Sequence, residues 1–371
     1  MTRVVVAPDS LKGTISAVAA AAALADGWAS VEPGARLLLR PMADGGEGTV
    51  AAFAAARPEA VRMPLGDGGH GDPYWLLLPP APDAPRGTAV IELAVICGIE
   101  RVGTGRPLDA GSEAFGAAIA AALGHGVSRL VLGIGSSAST DGGAGALTAL
   151  GARLLDGAGV PIAAGARGLL DLERVDLGGL RKLPETLVLT DVSNPLTGPR
   201  GAAEVFGPQK GLVDPAVRAR VDAAMGRFAA LCGLDPATPG AGAAGGVGGA
   251  LTVLGAKLLP GAAEVAELIG LADALSGADL VITGEGAFDG QSADGKAPGY
   301  VAELARSAGV PVALVAGRIA TDAPLSGFAS IVSLTELAGS AERSLAEPAR
   351  WLRAAGADLA ACRHALRGAR D

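Results

Sequence analysis

Between Asp279 and Pro298 the chain gathers residues whose types could do chemistry: Glu285, Asp289, Gln291, Ser292, Asp294 and Lys296, spaced among glycines. The short apolar run Leu280 to Ile282 reads as a buried strand of a parallel sheet. It is expected to break at Thr283 into a loop, and a helix should resume near Ala297, with Pro298 tolerated in its first turn. In open α/β sheets the loop after a strand's carboxyl end is where ligands bind. Hard oxygen donors and a lysine on a glycine-loosened backbone suit a divalent metal and a phosphate. A solvated polar turn is the plainer reading of the same residues.

Other loops repeat the idea. Asp44-Gly45-Gly46 and Asp141-Gly142-Gly143 each set an acid and two glycines before a helix. Glycines let a ligand approach the backbone, and the helix N-terminus offers N–H donors to an anion. The acid could hold a metal or accept a proton from a hydroxyl, or it could merely cap the helix. Asp191 to Asn194 forms a third acid loop, and Lys210 sits in a turn that could bind an anion or simply be solvated.

The elements that must position these loops follow a β-loop-α rhythm. Arg3 to Ala7, Arg36 to Arg40 and Ala60 to Met63 read as strands, with Ser16 as N-cap of an Ala-rich helix to about Trp28. From Gly66 the pattern changes to a β-hairpin, Tyr74 to Leu78 and Thr88 to Leu93, which marks an inserted domain. Strands at Arg129 to Leu132, Ala152 to Leu155 and Leu187 to Leu189 follow, with helices at Ala114 to Leu123 and from Pro215 to Leu231. Leu280 to Ile282, Val312 to Val315 and Ile331 to Leu334 then restore the alternation. The expected fold is α/β: a Rossmann-like, doubly wound parallel sheet of six strands in the order 3-2-1-4-5-6. Residues 1–66 and 277–371 would form it, and residues 67–276 an inserted α/β domain, with the active site in the cleft between them. In that order strand 1 lies beside the Leu280 strand at the switch point, so Asp9, Ser10 and Lys12 would face Glu285, Asp289 and Lys296.

Composition narrows the function classes. Of 371 residues 50% are hydrophobic and 18% charged, so a large core is available and wholesale disorder is excluded. Net charge is −8 with no Lys/Arg cluster, which argues against a nucleic-acid partner. Cys97, Cys232 and Cys362 are scattered and odd in number, as are His70, His125 and His364, so neither a disulfide framework nor a His-based metal site is indicated. The chain opens directly on a strand and shows no long apolar run, so a cytoplasmic protein without signal peptide or membrane span is expected.

Three glycine patterns invite other readings. Gly240, Gly242 and Gly245 match G-x-G-x-x-G, but no strand precedes them. Gly133 and Gly135 follow a strand, with Asp156 at the spacing of a ribose contact, and could serve a nicotinamide dinucleotide. Gly290 to Ala297 matches a P-loop except that Ala297 replaces the Ser/Thr that binds magnesium.

Seven segments taken together, in order, resemble the bacterial glycerate kinase family of two-domain, ATP-dependent, glycerate 2-kinase type. They are Val6 to Gly13, Ala43 to Thr49, Gly135 to Gly145, Asp191 to Leu196, Phe206 to Gly211, Gly242 to Gly246 and Thr283 to Gly286. The resemblance implies magnesium-assisted phosphorylation of D-glycerate by ATP, to 2-phosphoglycerate, with 3-phosphoglycerate as the alternative product. It implies a small-molecule partner and neither nucleic acid nor membrane. Lys12 and Lys296 would neutralise phosphate charge. Asp191, then Asp44, would orient the attacking hydroxyl, and Glu285 and Asp289 would hold the metal. Asp9, Ser10, Gly45, Gly46, Ser137, Asp141, Asn194 and Lys210 would contact substrate or phosphate. Four positions depart from the family pattern: Ser136 stands for a usual Gly, Thr140 often for Asn, Ser193 for Asp and Ala287 for Arg. An NAD-dependent hydroxy-acid dehydrogenase using the Gly133 turn, and a silent regulator binding a small acid, are the rival classes.

Overall fold

The computed structural model describes residues 1–66, 72–290 and 296–368. Its strands, in chain order, are β1 (Arg3–Pro8), β2 (Arg36–Leu39), β3 (Val61–Pro64), β4 (Tyr74–Leu78), β5 (Thr88–Glu92), β6 (Arg129–Gly133), β7 (Arg153–Leu155), β8 (Arg174–Asp176), β9 (Glu185–Leu189), β10 (Lys257–Leu259), β11 (Leu280–Phe288), β12 (Val312–Ile319) and β13 (Ser330–Ser333). The chain divides into two compact units. The first comprises Met1–Asp44, Ala51–Pro58 and Ala262–Asp371, the second Gly45–Val50 and Glu59–Gly261.

In the first unit a parallel five-stranded sheet runs β13-β12-β11-β1-β2. The neighbours β1 and β11 pair with Val4 opposite Leu280 and Pro8 opposite Gly284, so the expected switch point between them exists. Val4, Val6, Ile282 and Val315 point into a core shared with the helices Ala17–Val31 and Pro348–Gly368. Those helices touch where a Cβ on Gly27 would stand 1.9 Å from the Arg353 carbonyl oxygen, and one on Gly356 2.2 Å from that of Leu24. Val5 and Val281, on the alternate sides of their strands, are equally buried, as a sheet covered on both faces requires. Ser16 caps the first helix by accepting from Ala19 N at 3.3 Å.

The six-strand order 3-2-1-4-5-6 is not what forms. β3 leaves that sheet and pairs antiparallel with β4, Met63 opposite Trp75. Its residues explain why: Val61 is 53% exposed and Arg62 stacks on the Tyr74 ring, so the segment is an edge strand and not a strand buried on both faces. An antiparallel neighbour also needs no helical crossover. A second correction concerns β11. It does not break at Thr283 but continues to Phe288, paired with β12 to the Phe288–Ile319 match, so Glu285 stands on a strand.

The second unit holds a six-stranded sheet, β10-β9-β6-β5-β4-β3, in which β10, β9, β6 and β5 are parallel and β5, β4 and β3 antiparallel. One core lies under Phe115, Ile119, Leu130 and Val188, and another around Phe228, Met225 and Leu169. The helix Pro215–Cys232 begins at the Asp214 cap, with Pro215 in its first turn. No helix among the described residues is long and apolar enough to cross a membrane.

Candidate active-site loops

In the first unit the carboxyl ends of β1, β2 and β11 bring acids together. Asp9 follows β1, its N–H donating to the Gly284 carbonyl at 2.8 Å, while its Oδ1 accepts from Ser10 N at 2.6 Å. Thr283 Oγ1 donates to the Ala7 carbonyl at 2.9 Å, tying β11 to β1 one residue earlier. The loop after β2 is anchored by Met42 N on the Pro8 carbonyl, 2.8 Å, and two residues later carries Asp44. Burial first, then the charges of Asp44 and Glu285, push the Asp9 carboxyl up to about 8 against the opposing pull of Ser10 N and Lys12. Negative charge beside Asp9 disfavours its ionisation, and added positive charge would relieve it. Lys12 is exposed, and its backbone lies against β11: a Cβ on Gly286 would be 3.3 Å from Lys12 N. Asp289 follows β11, and Lys296 is the N-cap of the helix Ala297–Ser307. Gln291, Ser292 and Asp294 lie outside the described residues. Among the described residues no group of three His, Cys, Asp or Glu side chains gathers closely enough to hold a metal by itself.

In the second unit the candidates fall into a polar loop after β6. Asp141 is fully buried. Its Oδ2 accepts from Ser112 N (2.9 Å), Ser112 Oγ (2.8 Å) and Gly145 N (3.2 Å), and its Oδ1 from Gly143 N (3.0 Å). Lys210, 4% exposed, donates from Nζ to Ser137 Oγ and to the Ser139 carbonyl, both at 2.7 Å. Burial lowers its pKa to about 8, with Asp141 pulling the other way. Asp191, at the end of β9, accepts Gly261 N at 2.9 Å, at the start of the helix Gly261–Leu268. Asn194 Nδ2 donates to the Arg200 carbonyl at 2.8 Å.

Gly45 and Gly46 are used by the protein's own backbone. Gly45 has φ +88°, and a Cβ there would stand 2.5 Å from the Leu189 carbonyl oxygen. Gly45 O accepts from Gly135 N at 3.1 Å, and a Cβ on Gly135 would lie 2.5 Å from Gly46 Cα. The turn after β6 is therefore filled where a dinucleotide's pyrophosphate would have to sit.

Glu92, at the end of β5, was not marked by any motif. It is 1% exposed, and its carboxylate accepts Gly48 N at 3.0 Å and Val50 N at 2.8 Å, capping the helix Thr49–Ala56. Burial raises its pKa to about 7. A glutamate ending a continuous apolar strand, Thr88 to Ile91, was the one available signal.

Acids and lysines in the loops that leave the parallel strands of an α/β architecture stand where such folds bind ligands. The comparisons with known proteins identify the kind of protein: residues 4–364 match the glycerate kinase family, and the chain belongs to it. It is 39% identical to a glycerate kinase of Bacillus subtilis (strain 168) over 97% of each chain. It is likewise 39% identical to a glycerate 2-kinase of Escherichia coli (strain K12) over 86% of each. A crystal structure from Salmonella typhimurium LT2, of a protein assigned as glycerate kinase 2, superposes with a TM-score of 0.80 at 37% identity, covering 99% of both chains.

Proposed function

We propose that this chain transfers the γ-phosphoryl group of ATP to D-glycerate and yields 2-phosphoglycerate. The observation that carries the reading is the family match over nearly the whole chain, which includes a relative described as a glycerate 2-kinase. The acid cluster of Asp9, Asp44 and Glu285 with Lys12 beside it supports it.

In such a transfer the substrate hydroxyl loses a proton to a carboxylate, its oxygen attacks phosphorus, and the bond to the ADP oxygen breaks. Asp191 is the proposed acceptor, because Gly261 N fixes the orientation of its carboxylate; Asp44 is the second choice. Lys12 and Lys296 would neutralise phosphate charge. Ser10, Ser137, Asn194 and Lys210 would position the substrate's carboxylate or phosphate oxygens. Asp141 would serve by holding the Ser137 loop in shape.

The charges of Asp44 and Glu285 that bear on Asp9 are what a divalent cation would relieve. Glu285 and Asp289 are the proposed ligands. When bound, magnesium would neutralise the charge building on the transferred group.

Incubation with D-glycerate, ATP and magnesium, coupled to enolase without mutase, tests both activity and product. A prompt signal reports 2-phosphoglycerate. A signal that waits for added phosphoglycerate mutase makes the product 3-phosphoglycerate, and ADP formation indifferent to glycerate removes the substrate assignment.

A further inference from the structure

We propose that Glu92 is a positioning residue for the reaction: its carboxylate seats the Gly45–Val50 segment on the strand ends of the second unit and so fixes the backbone that carries Asp44. Glu92, Gly133 and Leu189 stand in register at the carboxyl ends of the adjacent parallel strands β5, β6 and β9. Each of the three meets the segment. Glu92 accepts Gly48 N at 3.0 Å and Val50 N at 2.8 Å. Gly133 makes room, since a Cβ there would stand 2.9 Å from Gly45 O and 3.3 Å from Thr49 Oγ1. Gly45 in turn lies against Leu189, the last residue of β9. Carboxyl ends of parallel strands are where open α/β folds bind ligands, and here a piece of the chain itself lies across three of them.

The segment has little stiffness of its own. Gly45, Gly46 and Gly48 leave its backbone free, and Gly45 and Gly48 sit at φ +88° and +91°. Thr49 Oγ1 donates to Gly46 O at 2.8 Å within it. Gly45 and Gly46 rest on the turn after β6 by backbone contact, through Gly135, whereas the far end is held by the Glu92 side chain. An ionised carboxylate accepts two amides more strongly than a protonated one. Burial raises the Glu92 carboxyl to about 7; the Val50 and Gly48 amides oppose that rise, and the charge of Glu47 adds to it. The residue facing Glu92 from β6 is the uncharged Gly133. Loss of the proton near neutral pH therefore tightens the seat.

This inference rests on the kinase reading, in which Asp44 can orient the glycerate hydroxyl, and its test separates the two. Glu92→Gln has the shape of the protonated side chain and keeps one acceptor, while its amide group faces the second donor. With saturating D-glycerate, ATP and magnesium, kcat of the full-length parent should fall as pH drops through about 7. Glu92→Gln should lack that step and lie about tenfold below the parent on its alkaline plateau, with KM for ATP within about twofold. Amide exchange at Gly48 and Val50 needs no turnover: their protection should rise with kcat in the parent and stay low in Glu92→Gln. A variant with the parent's kcat and pH profile overturns the proposal, as does a kcat loss accompanied by equal acceleration of exchange in β9. If Glu92→Gln fails to fold, the parent decides: protection at Gly48 and Val50 that ignores pH around neutrality overturns the proposal. A parent inactive on glycerate sinks the kinase reading alone, and exchange at the two amides still decides whether Glu92 seats the segment.

Discussion

Lys210 Nζ lies 2.7 Å from Ser137 Oγ inside the second unit, with the lysine 4% exposed. A buried ammonium is costly, and its lowered pKa of about 8 expresses that cost. Below pH 8 the lysine is charged in both states and the penalty is fully present. Between about 8 and its ordinary 10.5 the unfolded chain holds the proton that the folded chain has released. Stability therefore rises with pH across that window and levels off above it. Urea midpoints of the parent should climb from pH 8 to 10, while those of Lys210→Met should lack this component. Parallel curves for the two would show that Lys210 does not titrate there.

Ser136 has φ +58°, one of two non-glycine residues in the left-handed region among the described residues. Its carbonyl accepts Ile99 N at 2.8 Å, and its neighbour Ser137 bridges to Gly98, so surrounding structure dictates the strained conformation. Ser136→Gly should raise stability by about 1 kcal/mol, the left-handed penalty less the added freedom of the unfolded chain. Thermal unfolding measures it; an unchanged or lowered Tm would mean the serine side chain returns as much as the strain costs.

Much of this was legible beforehand, and the exceptions have physical causes. The β1–β11 neighbourhood followed from the β-loop-α alternation, because a doubly wound order sets the first strand beside the Leu280 strand at the switch point. β3 was misplaced because the four residues Ala60 to Met63 look alike whether they continue a parallel sheet or form its antiparallel neighbour's edge. The length of β11 was hidden by Gly284 and Gly286, which read as loop residues. In fact a Cβ on Gly284 would strike the Val315 carbonyl at 1.8 Å, so glycine there permits strand packing and does not end it. Glu92 was invisible because its partners are backbone amides, which have no sequence signature. The Asp44 and Asp141 motifs look alike, yet one acid belongs to a charged cluster and the other is enclosed by four hydrogen bonds.

Thr140 Oγ1 is buried and finds no hydrogen-bond partner among the described residues. An unsatisfied hydroxyl costs on the order of 1–2 kcal/mol relative to a group that never needed a partner. Thr140→Val keeps the shape and removes the hydroxyl, so it should be neutral or stabilising by up to about 1 kcal/mol. Denaturant unfolding would detect it, and a clear loss would reveal a partner for the hydroxyl.

Glu92 holds two amides at the start of the helix Thr49–Ala56. Glu92→Ala leaves Gly48 N and Val50 N without that acceptor in a buried setting, at a cost of about 2–3 kcal/mol. Amide exchange at Val50 should accelerate more than exchange in β9. Equal acceleration at both would mean the variant simply destabilises the whole unit.

Lys12 is exposed and its charge bears on Asp9, so its substitution separates chemistry from folding. Charge reversal, Lys12→Glu, adds a fourth acid to Asp9, Asp44 and Glu285 and removes a cation proposed to neutralise the transferred phosphate. Stability should change by no more than about 0.5 kcal/mol, as for other exposed positions. Turnover should fall by about a hundredfold or more, the scale of losing one charged contact in a phosphoryl transition state. Lys182→Glu, equally exposed in the second unit, is the control and should retain activity within about twofold, the range of an ordinary surface charge. If both reversals depress kcat alike, net charge is responsible and Lys12 has no special part in the site.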